Sequence, residues 1–106
     1  MSVKDSRFDG EGFLRDPEAW SPQMATEIAA AEGIRNLGQD HVKILEELRH
    51  RYLDRGDVPA MRHVCRDAGL EESCVRELLV NPLRAWRVAG LPDPGEEAKA
   101  YLETAQ

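Results

Sequence analysis

Between Gln39 and Leu53, His41, Ile44, Leu45, Leu48 and Tyr52 recur at i, i+3, i+4, i+7 and i+11, one continuous stripe of a 3.6-residue helix. Lys43, Glu46, Glu47, Arg49 and Arg51 fall off that stripe. A helix with one apolar face must bury it against other elements, and the chain around it is cut by Gly and Pro into further short helices. Asp16-Pro17 and Ser21-Pro22 each place a capping side chain before a Pro, so a helix starts near one of them and runs to Ala31, ended by Gly33. Asp57 is the expected cap of a third helix with Pro59 in its first turn and Ala60, Met61, Val64, Cys65 and Ala68 on its inner side; Gly69 stops it. A fourth helix is expected over Leu70 to Leu79 and a fifth from Pro82 to Gly90. Leu91-Pro92-Asp93-Pro94-Gly95 forbids helix, because each Pro forces its predecessor out of the α region. Glu96 to Gln106 can form a last helix through Ala98, Tyr101 and Leu102.

Before these helices, Arg7 to Leu14 carries Asp9-Gly10 between short segments with aromatic residues, the signature of a two-stranded hairpin. Residues 1–6 are polar and read as frayed. The fold class expected is mainly α (α+β): one domain over residues 1–106, a helical bundle with a short N-terminal β-hairpin and a C-terminal arm from residue 91.

With 106 residues the chain has little room for a large cofactor pocket beside its core, and no cofactor or metal site is expected. The net charge of -6 argues against nonspecific binding to nucleic acid or anionic membrane. It is also unevenly spread: residues 42–87 sum to +1, residues 1–41 to -4 and residues 88–106 to -3. No apolar run approaches the roughly 20 residues that span a bilayer, and Met1 to Phe13 lacks the apolar core of a signal peptide. A cytoplasmic location follows as the expectation. Cys65 and Cys74 then sit in a reducing compartment, inside helical sequence and without zinc spacing, so they are expected to be buried, inert thiols with neither a disulfide nor a metal.

Val64 to Leu78 also has helix-turn-helix spacing: a small residue, Cys65, four before Gly69 and the apolar Val75 six after it. Arg66 and Arg76 are its candidate phosphate contacts. The would-be recognition helix presents Glu71, Glu72 and Glu77, however, and carboxylates repel phosphates. Helix crossing without DNA is the stronger reading. Arg49, Arg62, Arg66, Arg84 and Arg87 would form a patch for an acidic partner if the fold gathered them; solvated charge is the plainer account.

The order Glu11-Gly12-Phe13-Leu14, Asp16, Trp20, Ala29, Glu32-Gly33-Ile34, Leu37, His41, Ile44, Leu48-Arg49, Tyr52, Pro59, Arg62 and Ala85-Trp86-Arg87-Val88-Ala89-Gly90-Leu91-Pro92-Asp93-Pro94 resembles the DsrC/TusE sulfur-relay proteins. The resemblance covers about residues 8–97 and implies an orthogonal helical bundle with an N-terminal hairpin and a C-terminal arm. It also implies a function in sulfur metabolism, in which family members carry sulfur as a persulfide on an arm cysteine. Here the two sulfur-carrying columns fall on Trp86 and Glu97, neither of which holds sulfur. The resemblance therefore leads to the expectation of a non-catalytic interaction or regulatory protein. It would dock on a sulfite-reductase-like or sulfur-relay protein through Arg84, an exposed Trp86, Arg87, Pro92 and Pro94, with a core-filling Trp86 as the opposing reading. A literal sulfur-relay component and a DNA-binding regulator are the alternatives.

Overall fold

The computed structural model describes residues 6–104; the expected frayed start falls, for residues 1–5, outside the described residues, as do residues 105–106 at the end of the tail. After a 3₁₀ turn at Pro17–Ala19 come α1 (Pro22–Ala31), α2 (Gln39–Arg55), α3 (Met61–Asp67), α4 (Cys74–Leu79), α5 (Pro82–Val88) and α6 (Glu96–Thr104). Both Pro-preceding caps are used: Asp16 caps the 3₁₀ turn, and the Ser21 hydroxyl accepts from the Met24 amide at 3.1 Å to start α1. α2 opens at Gly38, whose amide donates to His41 Nδ1 at 3.0 Å, and closes at Gly56. Its stripe is the core, with Ile44, Leu45 and Leu48 fully buried.

Three expectations need correction. Among the described residues no strand forms, and the expected hairpin is a single antiparallel bridge between Phe8 and Leu14. The Asp9 carboxylate accepts from the amides of Glu11 and Phe13, taking donors that a second rung would need, and the left-handed residue is Gly12 rather than the Asp9-Gly10 pair. α3 starts at Met61, later than Asp57 would cap it, because Ala60 after Pro59 is still extended. α4 begins only at Cys74, since Gly69 and the turn that follows occupy residues 69–73.

α5 packs against α1, α2, α4 and α6. Pro82, Ala85, Trp86, Val88, Ala89 and Leu91 are all buried around it. Its C-terminal end is held from two sides. The Trp20 indole N–H donates to Val88 O at 2.9 Å. Arg49 donates to Ala89 O at 2.9 Å and to Pro17 O at 2.7 Å, with its guanidinium 4.5 Å from the Trp20 ring centroid. A cation satisfying the last carbonyls of a helix also complements its dipole.

Gly90 completes the joint. It adopts φ +70, and a Cβ there would overlap the Trp20 indole. Gly33 also has positive φ, +86, but nothing lies near its missing Cβ. Gly90→Ala should therefore cost about 2–4 kcal/mol from strain plus overpacking, and Gly33→Ala only about 1 kcal/mol. Denaturant titration of the two variants checks this; equal losses would show that the Trp20 contact contributes nothing.

Candidate functional site

The segment from Asn81 to Glu97 holds the residues singled out for partner contact. Asn81 caps α5 by accepting from the Arg84 amide at 2.8 Å, which fixes the helix rotation. That rotation turns Trp86 inward. Its side chain is wholly buried, meets Tyr52 edge-on at 4.9 Å, and donates from the indole N–H to Pro92 O at 2.8 Å. The expectation of an exposed Trp86 anchor is corrected: a helix packed by four others has its large apolar residue in the core, and the indole spends its one donor on the arm.

Arg84 and Arg87 do lie side by side, joined by Glu32, which follows α1. Arg87 forms a two-pronged pair with the Glu32 carboxylate, at 2.6 and 3.1 Å. Arg84 approaches the same carboxylate at 3.6 Å and donates to Glu32 O at 3.3 Å. The Arg84 side chain remains 38% exposed against 19% for Arg87. One carboxylate thus serves two guanidinium groups, leaving positive charge on the Arg84 side. The wider arginine patch does not form as drawn: Arg49 points at backbone carbonyls, and Arg66 pairs with Glu72 at 3.5 Å.

Beyond α5, Leu91 is buried, Pro92 and Pro94 are half-buried, and the arm continues into α6. Leu102 is fully buried, and Lys99 anchors the helix with its ammonium 2.9 Å from Glu11, 3.3 Å from Asp93 and 3.6 Å from Glu96. The hydrogen bond to Glu11 foremost, with Asp93 assisting, raises the Lys99 pKa above its ordinary value. The Gly95 amide, and then Lys99, hold the Asp93 carboxyl below its ordinary value. Glu97 is exposed in the first turn of α6. In this structure the arm is docked on the bundle.

Cys65 and Cys74 are buried, as expected, but they are joined in a disulfide with Cα atoms 5.7 Å apart, which corrects the expectation of free thiols. The reason is local geometry. Gly69 at φ +80 reverses the chain, so the end of α3 and the start of α4 present both sulfurs to the same side of the core. Spacing read for zinc and for compartment carries no information about that reversal. Apart from this bond the helix-turn-helix is small: α4 has six residues, and its flank carries the Ser73–Glu77 hydrogen bond and the Arg66–Glu72 pair. Beside it, Arg62, Arg76, Val80 and Glu103 line a cleft. Among the described residues no group of three or more His, Cys, Asp or Glu could hold a metal ion. Among the described residues no helix is long and apolar enough to cross a membrane.

Sequence reading missed Glu32 and Lys99 as organising residues. The only sequence sign was a charge placed next to Gly33 in one case and in an otherwise amphipathic tail in the other.

Comparison with known proteins agrees with this architecture. Residues 1–96 match the family model described as DsrC like protein. The gamma subunit of dissimilatory-type sulfite reductase from Nitratidesulfovibrio vulgaris is 32% identical over 93 residues, covering 86% of this chain and 89% of that protein. The sulfurtransferase TusE of Escherichia coli is 30% identical over 100 residues, covering 86% and 91%. Among solved structures, dissimilatory sulfite reductase I (DsrI) superimposes with a TM-score of 0.71 at 31% identity, over 83% of this chain and 86% of that one. The oxidized gamma subunit (DsrC) from Archaeoglobus fulgidus gives 0.71 at 26%, over 85% and 90%. A match over nearly the whole chain, together with relatives above 30% identity and the shared fold, establishes that this chain belongs to the DsrC-like family.

Proposed function

We propose that the protein is a component of a sulfur relay that docks on a sulfur-metabolism protein, either sulfite-reductase-like or part of a relay complex. The observation that carries this reading is the family match over residues 1–96, with a sulfite reductase subunit and a sulfurtransferase both among the relatives. The docking face is the rim formed by Arg84, Arg87, Pro92 and Pro94, with Trp86 supporting it from beneath through Pro92 O. Arg84 is its most useful contact, being half-satisfied by Glu32 and open to an acidic group on the partner.

A second reading keeps the docking and drops the sulfur: a non-catalytic interaction or regulatory protein. It is favoured by Glu97 on the carrier column and by the Cys65–Cys74 disulfide, which engages both cysteines of the sequence. A DNA-binding role gains no support from a six-residue α4 flanked by carboxylates.

Two measurements separate the first two readings. Reduced protein incubated with a persulfide donor should gain about 32 Da per bound sulfur on Cys65 or Cys74 if it carries sulfur; an unchanged intact mass removes carriage and leaves the regulator. Pull-down against sulfite reductase and relay-complex subunits tests docking itself, and Arg84→Ala should weaken capture roughly tenfold, the loss of one charge-assisted contact. Failure of the unaltered chain to capture any such subunit, where an authentic family member does, would sink both readings.

The docked arm has its own signature. Because Asp93 is held below its ordinary value of 3.8, its contribution to docking is full above that value and is lost as pH falls through the depressed one. Amide chemical shifts of α6 should stay constant near neutrality and move on acidification, and Asp93→Asn should flatten that response. Lys99→Ala should release α6 at neutral pH; unchanged shifts in that variant would mean that Leu102 alone holds the helix.

A further inference from the structure

We propose that Cys65–Cys74 is a two-electron thiol–disulfide redox site, taking protein dithiols or small thiols as its co-reactants, and that its state gates the α3–α4 turn. This inference stands apart from the sulfur-relay reading and would survive that reading's failure.

The disulfide is buried, Cys65 at 0% and Cys74 at 3% exposure, and it joins the two ends of a single turn between α3 and α4. Residues 66–73 expose Arg66, Asp67, Gly69, Glu71 and Glu72. Three backbone hydrogen bonds close the turn: Gly69 to Arg66 O at 3.0 Å, Leu70 to Cys65 O at 2.9 Å and Cys74 to Glu71 O at 3.0 Å. The Arg66–Glu72 ion pair across it is 3.5 Å long with both side chains more than half exposed, and such pairs hold little. α3 itself is secured independently, by the Arg51–Asp67 pair to α2 and by buried Met61 and Val64. Opening the turn therefore uncovers the sulfurs while the bundle stays folded.

The chemistry balances without any further reagent. A reductant thiolate attacks Sγ of Cys74, the less buried sulfur; the Sγ–Sγ bond breaks, and Cys65 leaves as a thiolate that takes up a proton. A second reductant thiolate attacks the reductant sulfur of the mixed disulfide, releasing Cys74 as a thiol and the reductant as its own disulfide. Two electrons and two protons enter the protein. Afterwards the turn between α3 and α4 keeps its hydrogen bonds, the exposed Arg66–Glu72 pair and the packing of Leu70, but loses its covalent tether. The adjoining cleft at Arg62, Arg76 and Val80 loses the fixed spacing of its α3 and α4 walls.

The test uses the full chain in buffers of graded reduced-to-oxidised glutathione ratio, quenched by a maleimide and read by intact mass, with hydrogen exchange on the two end states. Two adducts should appear together, at a rate that rises with thiol concentration and exceeds the global unfolding rate extrapolated from denaturant. Exchange within residues 66–73 should quicken by about a hundredfold on reduction, the loop-closure contribution of a ring this short. Other helices should change little. Arg66→Ala should speed reduction roughly two- to fivefold, and a Cys65→Ser/Cys74→Ser double variant should reproduce the exchange pattern of the reduced chain. Adducts that form only as fast as the protein unfolds, or adducts found without reductant, would overturn the proposal. So would identical exchange at 66–73 in the two states.

Discussion

Arg49 under the C-terminal end of α5 is the interaction on which the rest of the molecule depends. Its guanidinium satisfies Ala89 O, reaches Pro17 O from the segment that precedes α1, and lies against Trp20, which in turn caps Val88 O. A guanidinium that is partly buried, with its pKa drawn down by desolvation, is tolerable only when its donors are used. Here two separate stretches of chain supply the acceptors, the end of α5 and the segment before α1. The position of α5, and with it the start of the arm, follows from that one side chain.

The same joint explains the Gly90-Leu91-Pro92 run of this chain. Gly90 leaves space for the Trp20 ring, Leu91 fills the core, and Pro92 O receives the Trp86 indole. The arm leaves the bundle in a fixed direction. It then returns as α6, held by Lys99 among Glu11, Asp93 and Glu96 and by Leu102 in the core. Glu97 is an exposed carboxylate on this docked helix, while the two cysteines are joined to each other elsewhere in the bundle. Glu32 holds Arg84 and Arg87, and Trp86 holds Pro92, through hydrogen bonds.

Helix boundaries were legible where they depend on neighbours in sequence. Ser21-Pro22 starts α1, Pro82 opens α5, and the Ile44, Leu45, Leu48 stripe is the core face of α2. The same local logic failed at the hairpin, where Asp9 bonded its own following amides, and at α4, where the turn after Gly69 consumed residues assigned to helix. In both cases a side chain or a chain reversal competed for the same backbone donors.

Capping, hydrophobic period and the order of family landmarks are properties of residues close along the chain, so the sequence by itself determined a small, mainly helical protein of the DsrC-like family. The tertiary structure alone decided that Trp86 faces inward, that Arg84 and Arg87 share Glu32 across 52 and 55 residues, and that Lys99 reaches Glu11 across 88. It also decided that Cys65 and Cys74 meet. Those contacts arise from how helices rotate and pack against one another; the spacing about Gly69 announced a helix crossing, but not which side chains would meet across it.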